Sequence, residues 1–273
     1  MSSPPPVIDF VRYSGPRGAV WLKEAAAMLA AARIPWLMLL LLYYLIQLLV
    51  SVIPLAGPLA MMLLRPVFTV GFLAAAWTQE RGGQPEIRHL FRGFGANLWA
   101  LLPIGFVLVV GTTLAVLATA LVDGGVLLDA LTSNAKPDEA LAANSRVEAA
   151  MLFAIACALP TVLAMWFAPA LVVFQGCGPW QALATSLRAA LANWRPVAVY
   201  GLLLVFCGAV LPGIAITLIA LLVPPFAAPY VVALVVVPYV FLFVAAQTIS
   251  DYVAYRDIFH AGEDGVAEGT SGG

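Results

Sequence analysis

Arg65 is the residue that most directly invites a chemical question. It is the only charge within a predicted membrane-length apolar run, LAMMLLRPVFTVGF. An ionisable group at that depth points to a ligand or ion site by default. The structural alternative is a long side chain that carries its charge outward to the headgroups. Taken six residues past the preceding turn, Arg65 lies about 9 Å deep at about 1.5 Å per residue. Pro66 follows it and frees a backbone carbonyl one turn earlier, which offers the guanidinium a partner. Most other reactive side chains lack company. His89 and His260 stand apart from other ligating residues, and Cys157, Cys177 and Cys207 follow no zinc or disulfide spacing. No Ser-x-x-Lys, zinc-protease, phosphate-loop or dinucleotide pattern occurs. The chain is therefore expected not to be an enzyme, with no catalytic, cofactor-binding or metal site.

Composition explains why so few charges are available. Of 273 residues, 63% are hydrophobic and only 10% are charged, against about a quarter charged in soluble domains. A bilayer, rather than a buried core, accounts for that balance. The net charge of −1 argues against nucleic acid as a partner. Six runs reach the roughly 20 residues a helix needs to span hydrocarbon: 35–53, 59–79, 98–122, 149–174, 197–223 and 226–249. The first exceeds the core length of a secretory signal and is read as a retained span. Short proline-bearing turns, Pro54–Pro58 and Pro224–Pro225, close the first and third pairs into hairpins. The middle pair is joined by the acidic segment 123–148, where Pro137-Asp138-Glu139 reads as a helix start. Its carboxylates follow no calcium-loop spacing. The expected fold is all-α: three helical hairpins within 18–260, between flexible tails at 1–17 and 261–273.

Sorting basic residues by alternate connections places ten on one side: Arg12, Arg17, Lys23, Arg33, Arg81, Arg88, Arg92, Arg188, Arg195 and Arg256. Two, Lys136 and Arg146, fall on the other. The positive-inside rule then puts both termini in the cytoplasm.

Three segments on that side share a pattern. In 178–194, GPWQALATSLRAALANW, the apolar residues Trp180, Leu183, Leu187, Leu191 and Trp194 recur at helical spacing. In 82–99 the stripe is Ile87, Leu90, Phe91, Phe94 and Leu98, with Glu86, His89 and Arg92 opposite. In 18–33 it is Trp21, Ala25, Met28, Leu29 and Ala32, with Lys23 and Glu24 pointing away. A shift of 96 positions aligns Arg92 with Arg188, Asn97 with Asn193 and Gly105 with Gly201. These segments are expected to lie in the membrane surface, with Trp36, Trp99 and Trp194 at the depth indole favours. Arg92 and Arg188 would meet anionic headgroups, each contact worth about 1 kcal/mol.

Beyond the last span, ISDYVAYRDIF carries Asp251, Tyr252, Tyr255, Arg256 and Asp257; Asp251 and Arg256 join Arg65, Arg92, Asn97, Arg188 and Asn193 as candidate functional residues. Prolines 66, 103, 160, 169, 212 and 238 interrupt most spans and are expected to kink them. Gly201, Gly208 and Gly213 are expected to let helices approach closely.

The chain resembles uncharacterised proteobacterial inner-membrane proteins of the YciC type. The resemblance rests on GAVWLKEA leading to Pro-Trp, on RPVFTVGF and LFRGF, on WFAPALVVF with ALATSLRAALANWRP, and on SDYVAYRDIF. It implies an inner-membrane location and six spans, and it carries no catalytic residues. The expected role is membrane organisation, or binding of lipid or a membrane-protein partner through the cytoplasmic surface of 18–33, 85–97 and 179–194. The alternative is a transporter or permeation module for a small solute, built on Arg65 and the kinked spans. A polar cavity reaching the membrane midplane would favour that alternative, and a tightly packed apolar bundle would sink it.

Overall fold

The computed structural model describes residues 8–132 and 145–269, and the side chains of 8–130 and 146–260. Among the described residues there are helices and no strands. In chain order they are α1 (Arg17–Ala31), α2 (Arg33–Ser51), α3 (Ala56–Glu80), a 3-10 turn (Ile87–Phe91), α4 (Arg92–Ala96), α5 (Leu98–Ala118), α6 (Ala120–Asp123) and α7 (Val126–Thr132). The second half holds α8 (Ser145–Trp166), α9 (Ala168–Phe174), α10 (Pro179–Ala192), α11 (Trp194–Val205), a π turn (Phe206–Val210), α12 (Leu211–Leu222) and α13 (Ala228–Gly269).

Six helical segments are long and apolar enough to cross a membrane: Arg33–Ser51, Ala56–Glu80, Leu98–Asp123, Arg146–Phe174, Trp194–Leu222 and Ala228–His260. The chain is thus an all-α, polytopic membrane protein. Burial ranks the spans. The α3 segment is 61% buried, against 6% for Trp194–Leu222, so α3 is the helix around which the others are arranged. Small residues permit this, since Gly71, Ala74, Ala75 and Ala76 are all buried on it. In α2 and α13 much of the apolar surface faces outward, the surface lipid would cover.

Each connection has its own local cause. Between α2 and α3, Leu55 takes a positive φ of 60° and the Ala56 N–H donates to the Pro54 carbonyl at 2.6 Å, a strained three-residue turn. Asp123 closes the far end of the middle hairpin, its carboxylate accepting the Gly125 and Leu127 amides at 2.8 and 2.7 Å. The fourth span breaks at Phe167, before Pro169 in the first turn of α9. Ser186 of α10 mends the break, accepting the Phe167 amide at 3.0 Å and donating to the Leu163 carbonyl at 2.8 Å. In the fifth span the expected kink at Pro212 is a π turn just before it, where the Tyr239 hydroxyl donates to the exposed Cys207 carbonyl at 2.7 Å.

Several expectations change. The last span does not end near 249, because α13 continues through Asp251, Arg256 and His260 as one helix. It reaches Gly269, where a disordered tail from 261 was expected; the side chains past His260 and all of 270–273 lie outside those described. Residues 8–16 are not a loose tail either, since the Val11 amide donates to the Ile258 carbonyl at 2.9 Å. Residues 1–7 and the Pro137–Glu139 helix start, with Lys136, lie outside the described residues. Of the fifth-span glycines only Gly208 faces a close neighbour, Phe243; the space beside Gly201 and Gly213 is open.

Candidate functional site

The segments expected on the membrane surface meet three different fates. α1 faces protein, not lipid: Trp21, Ala25 and Leu29 are buried where it packs on α13 and α11. Gly18 sets the closest approach, since a Cβ there would lie 2.1 Å from the Pro196 carbonyl oxygen. The 82–99 segment is not one amphipathic helix but a 3-10 turn followed by a single α-helical turn. At about three residues per turn its faces rotate away from the helical expectation. His89 and Leu90 turn inward, while Ile87, Phe91 and Phe94 are exposed. Burial lowers the His89 pKa from its ordinary value, and Nδ1 accepts the Glu86 amide at 2.9 Å. α10 keeps the expected helix, but Leu183 of its expected stripe is buried and Leu187 half-buried. Its small residues Ala182, Ser186, Ala189 and Ala190 are buried, and Trp180, Leu191 and Trp194 remain more than half exposed beside Arg188.

The repeat-related asparagines also part company. Asn97 is exposed at the junction of α4 and α5. Asn193 is buried and ties down the N-terminal segment, its Oδ1 accepting the Tyr13 amide at 2.8 Å and its Nδ2 donating to the Val11 carbonyl at 3.0 Å. Arg92 and Arg188 are both exposed. Of the three tryptophans placed at the interface, Trp99 and Trp194 are exposed, whereas Trp36 is fully buried and donates to Gln79 at 2.6 Å.

At the end of the bundle that carries both termini, charged side chains from α1, α3 and α13 form a network. Arg256 pairs with Glu80, with Glu24 at 2.6 Å and with Asp257 at 3.2 Å. Arg17 pairs with Asp257 at 2.5 Å and with Glu24 at 3.2 Å. The Trp21 indole donates to Asp257 at 2.9 Å, and the Tyr252 hydroxyl donates to Glu80. The hydrogen bond to Asp257 raises the Arg17 pKa above its ordinary value. Arg256 was singled out from sequence, but its partners were not: Glu24, expected to point away, faces into the network. The seven-residue spacing of Arg17 and Glu24 was the available signal, since it places both on one face of α1.

Asp251 lies one to two turns before Arg256 on α13 and serves a different place. Its Oδ1 accepts the Trp166 indole N–H at 2.7 Å and the Tyr200 hydroxyl at 3.4 Å. It lines a cavity of about 480 Å³ between α2, α3 and α13, together with Arg65, Tyr43, Tyr44, Gln47 and Gln247. Arg65 is nine residues into α3, about 13 Å from its start and deeper than the sequence reading placed it. The backbone carbonyl freed by Pro66 is not its partner: among the described residues the guanidinium makes no hydrogen bond and no ion pair. No group of residues that could hold a metal ion occurs among the described residues, and the three cysteines are free thiols.

These features define an integral membrane protein with an ion-paired network lining a cavity at one end and an open cavity of mixed polarity at span depth. The chain is 29% identical over 204 residues to a probable inner membrane protein of Burkholderia thailandensis, a match covering 72% of this chain and 75% of that one. This relative and the six apolar helices together support a multi-pass location in the inner membrane. No family model matches the chain. No solved structure matches it either.

Proposed function

We propose that this is a non-enzymatic inner-membrane protein of the YciC type, with both termini in the cytoplasm, that binds anionic lipid or a membrane partner through α10. One observation carries the reading: α10 buries its small residues and turns Trp180 and Leu191 outward beside Arg188, with exposed Trp194 following at the start of α11. Indole, leucine and guanidinium on one outer face match the headgroup boundary of an inner leaflet. The orientation rests on the ten-to-two distribution of basic residues. Arg92, exposed on α4, belongs to the same surface. The test is native mass spectrometry of the purified protein. Wild type is expected to retain phosphatidylglycerol or a co-purifying membrane protein, and the Arg92→Glu/Arg188→Glu variant to lose it. Equal retention by both would count against the reading.

A second reading, handling of a small solute, is favoured by the cavity beside Arg65. Polar and apolar side chains both line it, where a tightly packed apolar bundle would have closed it, and it extends from Ser51 and Pro58 at the α2–α3 turn to Asp251.

A further inference from the structure

Two groups of opposite charge look into the α2–α3–α13 cavity without meeting. Arg65 and Asp251 both line it, yet among the described residues no ion pair joins them. Every buried side-chain nitrogen and oxygen among the described residues has a hydrogen-bond partner. Asp251 engages Trp166 and Tyr200 through Oδ1 alone, so its partnerless Oδ2 is accessible rather than sealed in. The side-chain amides of Gln47 and Gln247, which line the same space, also lack a partner among the described residues. Tyr43 packs edge-on against Phe68 and Phe72, with ring centroids 5.3 and 5.6 Å away. These three rings form an apolar wall of the cavity.

A charge at span depth is costly unless something answers it. The network at the terminal end shows that this fold can pair its arginines when pairing is structural. Arg65 is left for another partner. An anion alone would answer Arg65 and bring a like charge towards Asp251. A cation alone would do the reverse. A molecule carrying both charges, separated along its length, answers both, and its apolar middle can lie on the aromatic wall. The volume falls within the roughly 300–1,000 Å³ typical of small-molecule sites.

We propose that the cavity lined by Arg65, Asp251, Gln47 and Gln247 binds a small extended zwitterion, with its carboxylate on Arg65, its ammonium on Asp251 Oδ2 and its methylenes against Tyr43, Phe68 and Phe72. The carboxylate accepts a forked pair of guanidinium hydrogen bonds. This proposal rests on the small-solute reading above and names the substrate class for it.

The test uses full-length protein in phosphatidylcholine nanodiscs, titrated with 6-aminohexanoate, hexanoate and hexylamine and followed by calorimetry and melting temperature. Binding of 6-aminohexanoate is expected to exceed that of either single-charge probe at least tenfold. Arg65→Gln and Asp251→Asn should each weaken it at least tenfold, with the Asn side chain still able to accept the Trp166 indole. Hexanoate binding as tightly as 6-aminohexanoate would overturn the zwitterion while leaving the small-solute reading intact. A phospholipid retained by wild type and lost from Arg65→Gln would make the cavity a lipid site and overturn both. Failure of all three probes on wild type would also overturn the proposal. These ligand comparisons on wild type decide the matter even if a variant does not fold.

Discussion

The two places where arginine meets this membrane domain are built on opposite plans. At the terminal end, Arg17 and Arg256 are held by Glu24, Glu80 and Asp257, carboxylates drawn from three helices. Within the span, Arg65 shares a cavity with Asp251 and makes no ion pair among the described residues. The difference separates charge used to assemble helices from charge left available. Removing one partner from a buried charged group is expensive, so the paired arginines are constrained by folding, whereas Arg65 is exposed and open to the cavity.

The comparison breaks most visibly at Asp257. It is 6% exposed and accepts from Arg17, Arg256 and the Trp21 indole. Asp257→Ala leaves those donors facing an apolar gap, and removing one partner of a buried charge group costs about 3–5 kcal/mol. The variant is expected to lose that much stability in detergent unfolding assays. A loss under about 1 kcal/mol would mean that water replaces the carboxylate and that the network does not hold the fold. Gly18→Val probes the same assembly by packing. Its side chain would run into the Pro196 carbonyl and push α1 away from α11, at the roughly 1–3 kcal/mol typical of overpacking. The corresponding change at Gly201, which has open space around it, should be close to neutral.

A smaller effect is expected at His89, where pH is the probe. Its pKa is depressed by burial, and its Nδ1 must be unprotonated to accept the Glu86 amide. Glu86, Arg88 and Arg92 are the charged groups acting on it. A depressed imidazole favours the folded state fully only above its ordinary value of about 6.5. That contribution declines as pH falls below this value and is gone once pH drops under the folded one. Wild type should therefore lose about 1 kcal/mol more than His89→Gln between pH 7.5 and 5, the scale of one buried hydrogen bond. Parallel pH profiles for the two proteins would remove the role assigned to this ring.

How much of this was legible differs between fold and site. Hydropathy located the six spans because membrane length is a property of a contiguous run; their ends agree within three residues except for the last. That one runs on because Asp251, Arg256 and Asp257, which read as the start of a polar tail, are answered by Trp166, Glu24, Glu80 and Arg17 from elsewhere in the chain. Partners so far apart in sequence leave no local pattern. The shift of 96 positions is an alignment in the sequence that misleads as a guide to roles. Gly105 and Gly201 align, yet a Cβ at Gly105 would meet the Leu63 carbonyl at 2.0 Å while Gly201 meets nothing. Periodicity also could not tell an apolar face left outward from one that packs on protein, which is why α10 and α1 read alike and pack differently.

The smallest expected effect is the most informative for that distinction. Arg65 makes no side-chain hydrogen bond or ion pair among the described residues, so Arg65→Gln should change stability by no more than about 0.5 kcal/mol, the range of substitutions outside packed or paired sites. Relief of an unanswered charge could make the variant slightly more stable. Unfolding of ligand-free wild type and Arg65→Gln, run beside Asp257→Ala, checks this directly. A loss from Arg65→Gln approaching that of Asp257→Ala would show that Arg65 is structural, snorkelling to headgroups that hold α3 in place. Near-neutral stability would instead set Arg65 apart from Arg17 and Arg256 by purpose, those two holding the helices together and Arg65 free to bind.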